Sequence, residues 1–222
     1  MIEYVENKEV IAKRIARIFS GGEVVNLGIG LPTLVGNYVP ESVQLILQSE
    51  NGLIGLGPAP EKGKEDKDLT NAGSMPVTIQ KGGCFFDSAT SFGIIRGGHV
   101  DYTVLGVLEV DQRGNLANYK IPGKMVPGMG GAMDLVAGSK IVIAATTHLE
   151  KSGASKLKRV CTLPLTAKNE VDYVVTDVGY FHVAGGAFRL LECFEPYDPE
   201  WVKAHTDADV VVEASCRVTR VE

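Results

Sequence analysis

Leu45-Ile46-Leu47-Gln48-Ser49-Glu50-Asn51-Gly52 is the stretch from which the fold can be read, and five residues beyond Glu50 comes Gly55-Leu56-Gly57-Pro58. An apolar run of this length reads as a buried strand, here Leu45–Gln48, and the glycines after it read as a loop. One carboxylate, Glu50, therefore falls where the strand gives way to the loop. Open α/β sheets take their ligands in the crevice outside the carboxyl ends of the strands. Two readings of Glu50 stand at this point, a reactive carboxylate in such a crevice or a surface acid at a strand end.

Upstream, Asn7 is placed to cap a helix whose apolar residues Ile11, Ile15, Ile18 and Phe19 share a face, ending at Gly21-Gly22. A strand at 24–27 runs into Gly28-Ile29-Gly30-Leu31-Pro32, where the proline suits the first position of a helix. Downstream, residues 58–68 read as a polar surface loop, Ala72-Gly73-Ser74 as a turn and 76–80 as a strand. Asp87 or Ser88 would cap a helix over 89–95 that stops at Gly97-Gly98. Strands are expected at 102–108, 141–145, 173–176 and 210–213, with a turn at 111–114, a hairpin about Gly185-Gly186, a turn of helix at 134–137 and a helix at 200–205. Residues 122–131 hold Pro122, Gly123, Pro127, Gly128, Gly130 and Gly131, too many breakers for regular structure. Strands interleaved with helices imply an α/β fold: an open, largely parallel twisted sheet flanked by helices. With no repeat, low-complexity tract or linker, residues 1–222 read as a single domain.

The chain has 222 residues, 45% hydrophobic and 22% charged, enough for one sizeable core. A net charge of −5 and the lack of a basic block argue against nucleic acid as a partner. Lys151, Lys156, Lys158 and Arg159 form the densest positive cluster and read as a solvated face or a phosphate contact. No apolar run reaches the ~18 residues of a membrane helix, and no leader pattern precedes the first helix. Cys84, Cys161, Cys193 and Cys216 are far apart, so reduced thiols and a cytoplasmic location are expected.

Four chemistries can be weighed. Gly28-x-Gly30 after a strand, with Glu50 twenty residues on, partly matches a dinucleotide fingerprint, but Thr33 stands at the third glycine position. In a looser form, 28–33 would offer backbone N–H groups to an anionic ligand. His99, His148, His182 and His205 are isolated from one another and from the cysteines, so no metal site is expected. There is no G-x-S-x-G, which removes the usual signal of a serine nucleophile. The fourth is covalent catalysis by Glu50: a carboxylate can attack an activated carbonyl if donors stand ready for the carbonyl oxygen. Gly128-Met129-Gly130-Gly131 could supply those donors or be an ordinary flexible loop.

Several stretches together resemble the family I coenzyme A transferases. Gln48-Ser49-Glu50-Asn51-Gly52 followed by Gly55-x-Gly57 is similar to the family's S-E-N-G signature. Asn71-Ala72-Gly73, 95–101 (Ile-Arg-Gly-Gly-His-Val-Asp), 121–126 (Ile-Pro-Gly-Lys-Met-Val), 128–135 (Gly-Met-Gly-Gly-Ala-Met-Asp-Leu) and 161–166 (Cys-Thr-Leu-Pro-Leu-Thr) look like the same family, in the same order. They cover roughly residues 23–180 and look like the β subunit of the 3-oxoacid or acetoacetate–butyrate type.

The resemblance implies a mechanism. Glu50 matches the catalytic glutamate, which attacks an acyl-CoA thioester to give an acyl-glutamyl anhydride and then a glutamyl-CoA thioester. A second carboxylate reverses the sequence. Gly131 matches the glycine whose backbone N–H serves as an oxyanion donor, and Asn51, Asn71, Gly73 and Gly130 are expected near CoA. Short-chain carboxylates and acetoacetyl-, butyryl-, acetyl- or succinyl-CoA are the expected substrates. No cofactor is held permanently, and CoA enters as substrate. A separate α subunit, in an α2β2 assembly, is the expected partner. The alternative is a sugar-phosphate isomerase or ligand-binding protein on a related fold, with Glu50 as a base.

Overall fold

Helix α1 (Lys8–Ala16) starts where the sequence places it. Asn7 Oδ1 accepts from Glu9 N at 3.1 Å and Val10 N at 3.3 Å, satisfying two donors of the first turn. Strand β1 (Val24–Leu27) follows, then a 3-10 helix over Leu31–Asn37, with Pro32 in its first turn where the sequence placed a helix start. The computed structural model describes residues 2–123, 126 and 128–221; Lys124, Met125 and Pro127 of the proline- and glycine-rich stretch lie outside the described residues.

Next come β2 (Ile46–Ser49), β3 (Leu53–Leu56), β4 (Ile79–Phe85), α2 (Ser88–Arg96), β5 (Tyr102–Gly106), β6 (Glu109–Asp111) and β7 (Leu116–Ala117). The chain continues through α3 (Ala132–Gly138), β8 (Ile141–Ala145), β9 (Leu157–Lys158), β10 (Tyr173–Val175), β11 (Gly179–Ala184) and β12 (Ala187–Phe194). It finishes with α4 (Pro199–Ala204) and β13 (Val210–Thr219).

Ten strands form one sheet in the order β13-β12-β11-β10-β8-β5-β1-β2-β3-β4. Its centre, β10-β8-β5-β1-β2, is parallel. Antiparallel pairs flank it: β2-β3-β4 on one side, β10-β11-β12 on the other, with β13 parallel to β12 at the far edge. Strands β7-β6-β9 form a small second sheet.

The parallel centre is buried on both faces, as such strands require. Val142 and Ala144 of β8 point into a core with Ile95, Leu135, Phe181 and Trp201, whereas Ile143 and Ala145 join Ile11, Ile15, Val25 and Val35 on the opposite face. Helix α1 and the 3-10 helix thus cover one side, and α2, α3 and α4 the other.

The main departure from the sequence reading lies after Glu50. Residues 53–56, expected as a glycine loop, are strand β3, and β4 lies at 79–85 instead of 76–80. Gly55, one of the two glycines that read as loop, sits at a bulge: the β3–β4 register shifts between Ile54 and Leu56, where Gly55 faces Gly83 across the ladder. Glycine inside a strand often marks such a close backbone approach. At the other edge, β13 extends to Thr219, well beyond the expected 213.

Candidate active site

Glu50 stands in the tight turn of the β2–β3 hairpin. Ser49 pairs with Leu53, and Gly52 N donates back to the Ser49 carbonyl at 3.1 Å, so Glu50-Asn51-Gly52 forms the whole loop. Gly52 has φ +110, and a side chain there would run into the Phe86 carbonyl. Phe86 N also donates to the Gly52 carbonyl at 2.9 Å. The turn thus needs glycine for both conformation and space, and α2, whose cap is Asp87, begins directly behind it.

The Glu50 carboxylate turns toward the start of α3. Gly131 N donates to Oε1 at 3.1 Å and Oε2 at 3.2 Å. A methyl group at Gly131 would collide with this carboxylate and sit 3.2 Å from the Phe92 ring; at Gly130 it would lie 3.1 Å from Glu50 Oε1. The sequence's expected nucleophile and donor, eighty-one residues apart, are therefore in direct contact. An open groove runs beside them between α2 and α3, lined by Ser88, Ala89, Phe92, Arg96 and Asp134. Arg96 Nε donates to Asp134 Oδ1 at 2.6 Å across it.

A buried polar set beneath the hairpin escaped the sequence reading. Gln48 is 3% exposed; its Oε1 accepts from Asn26 Nδ2 at 2.7 Å, and its Nε2 donates to Ser91 Oγ at 3.2 Å. Asn26 Nδ2 also reaches the Gln48 carbonyl at 3.2 Å. The available signal was an amide side chain in each of two otherwise apolar strands.

Asn51, Asn71 and Gly73 belong to a loop lock on the outer side of the hairpin. Asn51 Nδ2 donates to the Thr70 carbonyl at 2.8 Å, and Ser49 Oγ accepts from Ala72 N at 2.9 Å. Asn71 Oδ1 accepts from Gly73 N at 2.9 Å and Met75 N at 3.0 Å, closing the 71–75 turn. Gly73 leaves room for Ile29, which joins this loop to the first glycine loop. In that first loop Gly28 N donates to the Val104 carbonyl at 2.8 Å and Thr33 N to the Gly30 carbonyl at 3.1 Å.

Other conspicuous residues are structural. Cys161-Thr162-Leu163 is fastened by two buried acids: Asp111 accepts from Cys161 N at 3.1 Å, and Glu109 from Thr162 N at 2.7 Å and Leu163 N at 3.0 Å. Burial pushes the Cys161 thiol up to about 12, which keeps it from forming a thiolate at neutral pH. In the basic cluster, Lys156 is hydrogen-bonded to Thr147, Lys158 lies 3.7 Å from Asp207 and Arg159 2.9 Å from Asp209. His148 is fully buried between the hydroxyls of Thr176 and Thr206. Among the described residues no three His, Cys, Asp or Glu side chains come together as a metal would require, and no helix is long and apolar enough to cross a membrane.

Comparison with known proteins identifies the chain's relatives. The family described as Coenzyme A transferase matches residues 8–193. The chain is 55% identical over 205 residues to the β subunit of the acetate CoA-transferase of Haemophilus influenzae, covering 92% of each. It is 48% identical over 210 residues to one subunit of a probable succinyl-CoA:3-ketoacid coenzyme A transferase of Bacillus subtilis, covering 95% of this chain and 97% of the other. Its fold matches an acyl-CoA transferase of Escherichia coli O157:H7, solved as a thioester complex with CoA, with a TM-score of 0.76 at 21% identity. All of this chain is covered there, and 44% of the longer one.

Proposed function

The chain belongs to the coenzyme A transferase family as a β-type subunit, and from that premise we propose that Glu50 is the nucleophile of a ping-pong exchange of CoA between a short-chain acyl-CoA and a free carboxylate. The observation that carries this reading is the Gly131 N–H resting on the Glu50 carboxylate.

A Glu50 carboxylate oxygen adds to the thioester carbonyl of the acyl-CoA, and CoA leaves as thiolate, giving an acyl-glutamyl anhydride. The thiolate then adds to the glutamyl carbon and expels the first carboxylate, leaving Glu50 as a glutamyl-CoA thioester. The incoming acid runs both steps backward and departs as the new acyl-CoA. When sulfur adds to the glutamyl carbon, negative charge builds on Glu50's own oxygen. Gly131 N–H already faces that oxygen and needs little reorganisation to serve as its oxyanion donor. Holding the carboxylate in place also counters its weak nucleophilicity by fixing its approach to the thioester carbon. Water must be kept from the anhydride, or exchange would decay into hydrolysis.

Gly130, Asn51, Asn71 and Gly73 are assigned to the CoA-binding surface. Asn51 Nδ2 and Asn71 Oδ1 are engaged within the loop lock, so their part is to shape that surface. The expected substrates are acetoacetyl-, butyryl-, acetyl- or succinyl-CoA with their free acids. The relatives' names support the acetyl, succinyl and 3-ketoacyl members. The working unit is proposed to be a cytoplasmic α2β2 complex with an α subunit, and the relatives' own names as subunits support such a partner. The family match and the identity to CoA-transferase subunits weigh against the isomerase reading.

The test is peptide-mapped mass spectrometry of the complex after acetoacetyl-CoA is added. A CoA-sized, hydroxylamine-sensitive adduct on Glu50 is expected. An unmodified Glu50 in a folded complex that turns over its substrate would remove it from the nucleophile role.

A further inference from the structure

Helix α2 touches both halves of the reactive pair through neighbouring residues. Ser91 is fully buried and accepts the Gln48 amide at 3.2 Å, two residues before Glu50. Phe92, the next residue on α2, borders Gly131 so closely that a methyl there would lie 3.2 Å from the ring. Helix α3 is pressed on the same helix farther along, where any side chain on Gly138 would strike the Ile95 carbonyl. The chain of contacts closes on itself: Glu50, Gln48, Ser91, Phe92, Gly131 and back to Glu50.

The Gln48 side chain is the central member of this circuit, with both ends of its amide bonded. Its strand is also tied to β1, because Asn26 Nδ2 bridges Gln48 Oε1 and the Gln48 carbonyl at 2.7 and 3.2 Å. Burying three polar side chains under a hairpin stabilises little, since each bond only offsets the desolvation of its own groups. What such a network does well is fix one geometry, because any displacement leaves a buried group unpaired. An apolar trio would fill the same space without fixing how far the hairpin stands from α2.

We infer that Asn26, Gln48 and Ser91 are positioning residues: they hold the β2–β3 hairpin against α2 at the distance that keeps the Glu50 carboxylate on Gly131 N–H. The inference rests on Glu50 being the nucleophile. It assigns no contact with substrate to the three residues, which lie beneath the turn.

Thr103 supplies an internal control. It is the cross-strand neighbour of Asn26 on β5, equally buried, and its hydroxyl has no hydrogen-bond partner. Thr103→Val therefore changes the same buried region without breaking the circuit.

The experiment measures single-turnover formation of the Glu50–CoA adduct, steady-state kcat and KM, and Tm, on the complex with its α subunit. Gln48→Met keeps the side-chain length and removes both hydrogen bonds. It is expected to slow adduct formation and kcat by about tenfold to hundredfold, the scale of a misplaced reacting group, with KM for acyl-CoA within about twofold. Ser91→Ala leaves Gln48 in place and should give a smaller loss of the same kind, which keeps the test decisive if Gln48→Met does not assemble. Thr103→Val should keep the wild-type rate. Wild-type adduct formation in both Gln48→Met and Ser91→Ala overturns the positioning role while leaving Glu50 as nucleophile. A wild-type complex that turns over without an adduct overturns the nucleophile and the inference together.

Discussion

Gly131 N–H stands 3.1 Å from one carboxylate oxygen of Glu50 and 3.2 Å from the other, so a single backbone donor is shared by both oxygens. The same contact explains why position 131 is glycine: its α-carbon lies so near the carboxylate that even a methyl group would push Glu50 away. Space here, more than backbone freedom, selects the residue.

Gly131→Ala is accordingly expected to lose much more kcat than stability. Displacing Glu50 and misaiming the donor should lower kcat by about 10²–10³-fold, the usual loss on removing one oxyanion donor. Steady-state assays of the complex alongside thermal melts check this. A variant that retains near-wild-type kcat would show that the contact is incidental.

Glu50→Ala should abolish exchange with the fold intact, and Glu50→Asp should be badly impaired. The aspartate withdraws the carboxylate by one methylene from Gly131 and from the thioester carbon. Initial-rate plots for the wild type should be parallel, as covalent exchange requires. Intersecting lines with a demonstrated ternary complex would point to direct transfer.

Gly52→Ala tests the turn separately from the chemistry. With φ +110 and the Phe86 carbonyl in the way, the substitution should cost about 1–3 kcal/mol from backbone strain alone, with the carbonyl clash adding to it. Urea unfolding should show this as a lowered midpoint at unchanged m-value, together with loss of activity. An unchanged midpoint would mean that the hairpin relaxes freely, in which case its geometry does not hold Glu50.

The sequence allowed the parallel centre and its caps to be read because the signals there are local: Asn7 before an amphipathic helix, Asp87 before another, and apolar runs at 24–27 and 141–145. The hairpin bearing Glu50 was misread because Gly55 and Gly57 look like breakers when only neighbours in sequence are considered. The role of Gly55 appears once β3 and β4 lie side by side. Gln48 and Asn26 were invisible for a related reason: an amide in a strand shows its purpose only when its partner strand and helix are known. The motif resemblance carried Glu50 and Gly131, yet it gave the same prominence to 161–166, a stretch that the Asp111 and Glu109 carboxylates staple in place.

His148 predicts how stability depends on pH. Burial, the largest cause, holds its pKa down to about 3 against 6.5 for a free imidazole, with the His205 backbone opposing and the His205 ring adding to the shift; the hydroxyls of Thr176 and Thr206 lie 3.3 and 3.1 Å from its ring nitrogens. Between those two values the unfolded chain binds a proton that the folded chain refuses, so stability falls as pH drops below about 6.5. The slope from this one group approaches about 1.4 kcal/mol per pH unit. Asp177, whose carboxylate accepts from His148 N, Asn7 N and Tyr4, acts in the opposite sense. Burial raises its pKa, so its contribution is fullest below the unfolded value of 3.8 and declines as pH rises through the folded one. The histidine's part is isolated by comparing the wild type with a variant that lacks the imidazole. Urea midpoints measured from pH 7 to pH 5 should therefore fall for the wild type and stay flatter for His148→Gln, whatever that variant costs at pH 7. Equal slopes in the two proteins would show that His148 takes up its proton in the folded state, which would require the Thr176–His148–Thr206 pocket to open to water.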